Sequence, residues 1–267
     1  MPPASSGGFP ATGFDGGDPL ELAGLPVTGP RLELWRALTD NDNGDGMRWH
    51  WSKLGLDRLT HRTDAVERDG DTLVVRRRVA PAATDAGYQV VYRWQRDGDG
   101  LLLAATLTPE GTWPVPIARL GLAFELPASL ERVSWFGRGP GEAYPDTGLA
   151  TRVGAFSATI EELQTPYVFP QENGQRAGVR HATLTGADGR GVRITGEPEF
   201  GLTVRRWSTA ELDAARHRPE LTAGDRVHVI VDLAQHGIGS GSCGPGTLPR
   251  YELRAGQASI RLRFDPV

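Results

Sequence analysis

Cysteine and lysine are almost absent from this chain of 267 residues. Cys243 is the only cysteine, so an internal disulfide, a disulfide-built secreted scaffold and a zinc site made of several cysteines are excluded. Lys53 is the only lysine, and arginine supplies the other basic residues. With 33 acidic against 29 basic residues the formal net charge is −4, which indicates no general attraction to nucleic acid or to an anionic membrane.

Long apolar runs are also lacking. No stretch approaches the roughly 20 apolar residues of a membrane helix. Residues 1–17 contain neither a basic region nor an apolar core of the signal-peptide type, so we expect a cytoplasmic protein. The length suits one large β domain, and 39% hydrophobic with 23% charged residues is ordinary for a globular chain.

Glycine and proline, by contrast, form about a fifth of the chain and are spread along it. Between them lie segments in which apolar and polar residues alternate, as in Arg226–Leu233, the pattern of a strand with one face in solvent. The same pattern predicts strands at Thr72–Val79, Tyr88–Trp94, Leu101–Leu107, Ile117–Leu126, Arg132–Phe136, Val179–Leu184, Gly191–Ile194, Leu202–Trp207 and Ala258–Phe264.

Helical signals are few, and the best is Ser208–His217, where Ser208 and Glu211 have the spacing of a capping box. Many short strands and few helices predict an all-β, antiparallel sandwich. We expect one domain over residues 20–267, opened by a first strand at Leu20–Val27 and preceded by a poorly ordered segment of residues 1–19.

Four segments fit neither a strand nor a simple turn. The first, Trp35–Trp51, is dense in Asp, Asn and Gly, which predicts a tightly turned loop. A calcium loop of the EF-hand type does not fit, because with Asp40 as first ligand the closing Glu position holds Trp51. Two interpretations remain open: a structural loop, or a loop that faces a sugar or another domain.

The second segment is Trp135–Asp146, whose three alternate glycines do not make the dinucleotide fingerprint. The third, Thr165–Arg176, mixes aromatic and amide side chains, which suit a sugar or a polar interface as well as an ordinary loop. The fourth, His236–Gly246, is a Gly/Ser-rich loop after a predicted strand.

Catalytic chemistry is hard to place on these residues. Hydrolysis of a glycosidic bond needs two carboxyl groups that flank it, and the spacing of Glu142, Asp146 and Glu172 singles out no pair. Cys243 with His236 could form a thiol–base pair, but a single cysteine is more often inert. The six histidines lack the spacing of metal ligands. We therefore expect no catalytic residue, metal or cofactor in this chain.

The four segments, in order, resemble phrases of the β-galactosidases of glycoside hydrolase family two. FWRAPTDND-x-G stands here at Leu34–Gly44, and G-x-GP-x-E-x-YPD at Gly137–Asp146. TPYVFP-x-ENG is intact at Thr165–Gly174, and an H-x-GIGG loop is slightly altered at His236–Gly239. The resemblance covers the chain from about Leu20 to its last residue.

This resemblance implies a galactose-mutarotase-like β-supersandwich, acting as the C-terminal domain or small subunit of a β-galactosidase. It implies that the catalytic glutamates lie on a barrel domain, preceding residue 1 or on a large subunit, so that this chain alone would not hydrolyse galactosides. The expected partners are a β-galactoside, that barrel and further copies in a homo-oligomer, with no nucleic acid and no membrane. The full enzymes often use Mg and Na, neither of which is expected here.

The resemblance also implies site residues. Cys243 stands where the family presents an aromatic platform, so the stacking surface is lost, while Asn43 and Gly44 belong to a segment similar to a mobile loop near the sugar. These three are the predicted substrate-binding residues. Structural or interface roles are predicted for Trp35, Arg36, Asp40, Asp42, Glu142, Tyr144, Asp146, Tyr167, Glu172, Asn173 and His236.

Two alternatives remain. One is a stand-alone carbohydrate-binding or aldose-1-epimerase-like module, in which His181 and Glu172 would act as acid and base on one sugar ring. The other is a structural remnant that binds nothing.

Overall fold

The computed structural model describes residues 13–240 and 244–267. These residues form sixteen strands and three short α-helices. The strands are β1 Phe14–Asp15, β2 Asp18–Pro19, β3 Glu21–Leu22, β4 Leu25–Pro26, β5 Thr28–Glu33, β6 Leu59–Asp69, β7 Thr72–Pro81, β8 Gly87–Asp97, β9 Gly100–Glu110, β10 Arg119–Pro127, β11 Leu130–Gly139, β12 Arg152–Thr159, β13 Arg176–Gly186, β14 Gly191–Arg205, β15 Arg226–Gln235 and β16 Ala258–Pro266. The helices are α1 Asp40–Gly44, α2 Met47–Leu54 and α3 Thr209–Ala214.

Twelve of the strands join in one antiparallel sheet. Its main path runs β12-β11-β13-β14-β16-β9-β8-β7-β6. The long strand β14 changes partner along its length: Val192–Glu197 pairs with β16, and Gly201–Arg205 pairs with β15. From β15 a branch continues through β10 to β5, and it packs back on the main path, as the edge-to-face contact of Phe124 with Phe264 shows. This confirms the predicted all-β antiparallel sandwich with few short helices.

The alternating segments predicted as strands all lie within strands, apart from residues at a few ends. Three strands of the sheet were not predicted: β5, β6 and β12. β6 is an edge strand whose faces are largely exposed, and charged side chains such as Glu67 and Arg68 occupy both of them. A strand without a buried face lacks the alternation of apolar and polar residues from which the other strands were predicted.

The N-terminal segment differs from expectation. Leu20–Val27 is a small hairpin of β3 and β4 rather than one strand, because the chain turns at Ala23 and Gly24 with φ of 54° and 75°. Within the predicted segment of residues 1–19, the part that is described forms the hairpin of β1 and β2, and Asp18 makes a 2.8 Å ion pair with Arg77.

The prediction of a loop at Trp35–Trp51 is wrong, because this segment contains α1 and the first part of α2. Thr39 caps α1: its hydroxyl accepts from the N–H of Asp42, whose carboxylate accepts in return from the N–H of Thr39. An Asp here replaces the Glu or Gln of the usual capping box, which hid the signal. The predicted box of Ser208 and Glu211 is confirmed at α3, which ends at Ala214. No helix in the described part of the chain is long and apolar enough to cross a membrane.

Candidate functional site

The four unusual segments are cross-linked by hydrogen bonds into one loop cluster. The carboxylate of Asp146, in the second segment, accepts from the N–H groups of Ile238 and Gly239 in the fourth, at 3.0 and 2.9 Å. The third segment reaches the first through the N–H of Glu172, which donates to the carbonyl of Ala37 at 3.3 Å. Since side chains and backbone share the links, the relative position of the loops is fixed.

Arg36 clamps the first segment to the fourth. Its guanidinium donates to both carboxylate oxygens of Asp42, at 2.7 and 3.2 Å. It also donates to the carbonyls of His236 and Gly237, at 2.6 and 2.9 Å, and lies over the ring of Trp51. The side chain of Arg36 is fully buried, and all three of its nitrogens have partners. Such a planar fork with fixed acceptors sets geometry as well as contributing energy.

His236 is held as a neutral ring. Its Nδ1 accepts from the N–H of Leu253 at 3.1 Å, so the proton resides on Nε2, and the ring packs edge-on against Trp51. Burial and the nearby charge of Arg36 lower the pKa of His236 to about 4. The predicted pairing with Cys243 lies outside the described residues.

Gly237 and Gly239 are required by close approach. A methyl group on Gly237 would lie 2.6 Å from Asp146 Oδ2, and one on Gly239 would lie 2.3 Å from the amide nitrogen of Asn41. Asn41 donates from that nitrogen to the carbonyl of Ile238 at 2.8 Å. The fourth segment therefore runs tightly against both Asp146 and α1.

Gly44 lies beside the residues that follow the undescribed stretch 241–243. A methyl group on Gly44 would come within 3.0 Å of Pro245 Cγ, so the two segments are in van der Waals contact. Asn43 accepts from Arg48 at 2.5 Å, and Gly44 is exposed. Cys243 itself lies outside the described residues. On either side of it, the N–H of Ser240 donates to the carbonyl of Gly246 at 3.3 Å, and Pro245 is the residue that contacts Gly44.

Glu142 holds the third segment. Its carboxylate accepts from the hydroxyls of Thr165 and Tyr167, each at 3.1 Å, and from the N–H of Gly174 at 2.8 Å. Burial and the adjacent carboxylate raise the pKa of Tyr167 to about 12. Asn173 adds two bonds within the segment, accepting from the N–H of Thr165 and donating to the carbonyl of Gln171. Glu142 therefore serves as an acceptor hub for this loop.

Beneath the loops lies a buried ionic layer that the sequence did not reveal. Glu172 is fully buried and accepts from Arg119 at 3.0 Å and from Arg205 at 3.1 Å, and also from Tyr144 at 3.2 Å. Burial alone would raise the pKa of Glu172, but the two arginine charges lower it to about 2. The members of this arginine layer are Arg119, Arg205, Glu172, Asp232 and Glu33.

Asp232 and Glu33 complete the layer on the other side of Arg119. Asp232 lies 2.8 Å from Arg119 Nε, and Glu33 lies 3.5 Å from Nη1. Burial raises the pKa of Asp232 to about 6, and it raises that of Glu33 as well. The only sequence signal for the layer was an arginine at a buried position in each of two predicted strands, β10 and β14.

The predicted carboxylate candidates do not form an acid–base pair over an open site. Glu142 and Asp146 are occupied by loop donors, and Glu172 is fully buried among arginines. His181 stacks on Phe136, with ring centroids 5.9 Å apart, instead of meeting Glu172 over a sugar. The described residues contain no group of three or more His, Cys, Asp or Glu that could hold a metal ion.

The remaining predicted residues are placed as follows. Trp35 is buried edge-on against Trp51, with ring centroids 6.1 Å apart. Asp40 is exposed, and its N–H donates to the side-chain oxygen of Gln171 at 3.2 Å. Their predicted interface roles, like the sugar contacts of Asn43 and Gly44, stay predictions.

The family that matches this chain and three of its curated relatives are all named for β-galactosidase. The family described as beta galactosidase small chain matches residues 9–265. A β-galactosidase of Arthrobacter sp. (strain B7) is 36% identical over 96% of this chain and 28% of its own length. The β-galactosidases of Priestia megaterium and Vibrio cholerae are 32% and 34% identical, over 89% and 81% of this chain, and 23% and 22% of their own lengths. The chain thus spans about a quarter of the length of these relatives.

Among solved structures, that of a galactose mutarotase related enzyme from Lactobacillus acidophilus is similar to the structure of this chain. It is 7% identical, with a TM-score of 0.40, over 76% of this chain and 70% of that one.

Proposed function

Because this chain belongs to the β-galactosidase small-chain family, we propose that it forms the rim of a β-galactoside site whose catalytic carboxylates lie on a barrel domain or large subunit. In this role the chain contributes to the hydrolysis of terminal β-D-galactosides without carrying the bond-breaking groups. Two carboxyl groups must flank the scissile bond, and the described candidates are occupied by other partners.

The observation that carries the proposal is the contact between the Gly44 segment and the fourth segment. Gly44 touches Pro245, Asn41 donates to the carbonyl of Ile238, and Arg36 bonds the carbonyl of Gly237. The Gly44 segment includes Asn43, and the fourth segment includes the residues on both sides of Cys243. These two segments therefore form one continuous edge. A sugar held against this edge would meet Asn43 and Gly44, two of the predicted substrate-binding residues.

Exposed apolar side chains on the loop cluster support a docked partner domain. Leu149, just after the second segment, is 100% exposed, and Val168 in the third segment is 88% exposed. Large apolar side chains so fully in water, on loops that are otherwise well bonded, fit a surface that another domain covers. We assign that role to the catalytic barrel. A cytoplasmic location and a homo-oligomer of the assembled enzyme are part of the same proposal.

Complementation tests the proposal. The purified chain should hydrolyse nitrophenyl galactoside only when a barrel-bearing partner is supplied, by mixing or by fusion. In the active assembly Gly44→Ala should lower kcat/KM several-fold, because the added methyl pushes on Pro245. Gly224→Ala is the matched control, since nothing lies within 4 Å of the added methyl.

Robust galactoside cleavage by the contaminant-free chain alone would contradict the proposal. Equal kcat/KM for the two glycine variants would contradict the placement of Gly44 next to the bound sugar. Accelerated mutarotation of α-galactose by the chain, followed by polarimetry, would favour the epimerase-like alternative instead.

A further inference from the structure

A cavity lies between two free edges of the large sheet. In the part of the chain that the structure describes, β5 pairs only with β10, and β6 pairs only with β7. Between these strands a cavity of about 210 Å³ is closed on a third side by residues 208–210, at the start of α3. Arg31, Glu33 and Trp35 alternate along the chain and so present their side chains to this cavity together.

Four side chains that line the cavity retain hydrogen-bonding atoms that no described residue uses. One carboxylate oxygen of Glu33 lies near Thr209 and Arg119, at 3.3 and 3.5 Å, while the other accepts no hydrogen bond. The guanidinium of Arg31, the indole N–H of Trp35 and the ring of His61 likewise make no hydrogen bond within residues 13–240 and 244–267.

The indole of Trp35 is the most telling of the four. Trp35 is only 9% exposed, its indole N–H is not among the fully buried atoms, and no described residue accepts a hydrogen bond from it. Its neighbour Trp51 shows the ordinary arrangement, since the indole N–H of Trp51 donates to the carbonyl of Pro116 at 2.8 Å. The indole N–H of Trp35 is therefore available to a ligand that enters the cavity.

The lining determines the chemistry of a ligand that would fit this cavity. It must accept hydrogen bonds from Arg31 and Trp35 and donate to Glu33, which is what a hydroxyl group does. One arginine faces one carboxylate here, while Asp57 is paired with Arg58, so neither an anion nor a cation is favoured. Leu56 and Leu59 add apolar surface to the lining, suited to the C–H face of a sugar. No metal-binding group of three occurs among the described residues.

We propose that this cavity binds one neutral polyol ring of hexose size, at a site separate from the contact between Gly44 and Pro245. Neither Arg36, Glu142, Asp146 nor His236 lines it. His61 is neutral at pH 7, because burial lowers its pKa to about 4, so it can both donate and accept toward a hydroxyl. The site does not depend on the catalytic role proposed above, since it requires no barrel.

Titration of the ¹⁵N-labelled full chain with D-galactose tests this site. The indole N–H resonance of Trp35, identified by its loss in Trp35→Phe, should shift saturably. The resonance of Trp51 should stay, because that N–H is already bonded to the chain. Glu33→Gln and Arg31→Ala should each weaken binding about tenfold, the usual worth of a hydrogen bond to a charged group.

Glu67→Gln on the exposed edge strand β6 is the control and should leave the affinity unchanged. Arg31 is exposed, so its variant should fold even if Glu33→Gln disturbs Arg119. Similar shifts with D-glucose would support a site for hexose rings in general. An unshifted Trp35 resonance at saturating galactose, or unchanged affinity in both variants, would overturn the proposal.

Discussion

Two buried arginine centres of this chain satisfy their charges in different ways. In the clamp, formed by Arg36, Asp42 and the carbonyls of His236 and Gly237, every guanidinium nitrogen has a hydrogen-bond partner. In the arginine layer, Nε and Nη1 of both Arg119 and Arg205 lack a well-aligned partner among the described residues, although Asp232 and Glu33 lie within ion-pair distance of those two atoms of Arg119. Directed hydrogen bonds therefore hold the clamp, whereas the attraction between opposite charges holds the layer.

The difference follows from the number of charges. The clamp sets one arginine against one carboxylate, whereas the layer sets two arginines against Glu172, Asp232 and Glu33. A surplus carboxylate in a buried site is costly, and the cost emerges as a raised pKa. Glu172, which touches both arginines, keeps its charge, while burial raises the pKa of Asp232 and of Glu33.

Removing the charge of Glu172 should have the largest effect. Glu172→Gln leaves Arg119 and Arg205 without their shared counter-charge, which should cost about 3–5 kcal/mol of the free energy of unfolding. Urea unfolding measures this loss. Glu131→Gln, an exposed carboxylate on β11, should cost nothing measurable. Equal stability of the two variants would mean that the layer is not held by charge.

How much of this could be predicted depends on the range of the interactions. Strands with a buried face, such as β15, were predicted because their alternation is local. The pairing of Glu172 with Arg119 and Arg205 joins residues 53 and 33 positions apart, so no local pattern encodes it. The meeting of the Gly44 segment with the His236 loop was expected only through the family resemblance.

The two centres should also differ in the sign of their response to pH. Burial raises the pKa of Asp232 from 3.8 to about 6, so between these values the folded chain holds the extra proton, and stability falls as pH rises. Burial and Arg36 lower the pKa of His236 from 6.5 to about 4, so the unfolded chain holds the extra proton, and stability rises with pH. Each shift corresponds to about 3 kcal/mol, and in the native chain they oppose each other.

Single variants separate the two contributions. Between pH 4 and 6.5, Asp232→Asn should make stability rise more steeply with pH than in the native chain, because the falling contribution is gone. His236→Asn should make it level off or fall, because the rising contribution is gone. Urea unfolding across this pH range gives both slopes. Slopes identical to that of the native chain would show that neither group titrates differently on folding.

The smallest expected effect compares the two capped helices, one inside the clamp and one outside it. Ser208→Ala removes two bonds at α3, from the N–H of Glu211 and to its carboxylate, and should cost about 1 kcal/mol. Thr39→Ala removes one bond at α1, while the carboxylate of Asp42 stays fixed by Arg36 and still accepts from the N–H of residue 39. We therefore expect Thr39→Ala to cost about half as much in urea unfolding. A cost equal to or above that of Ser208→Ala would mean that the cap, and not Arg36, positions the Gly44 segment against the His236 loop.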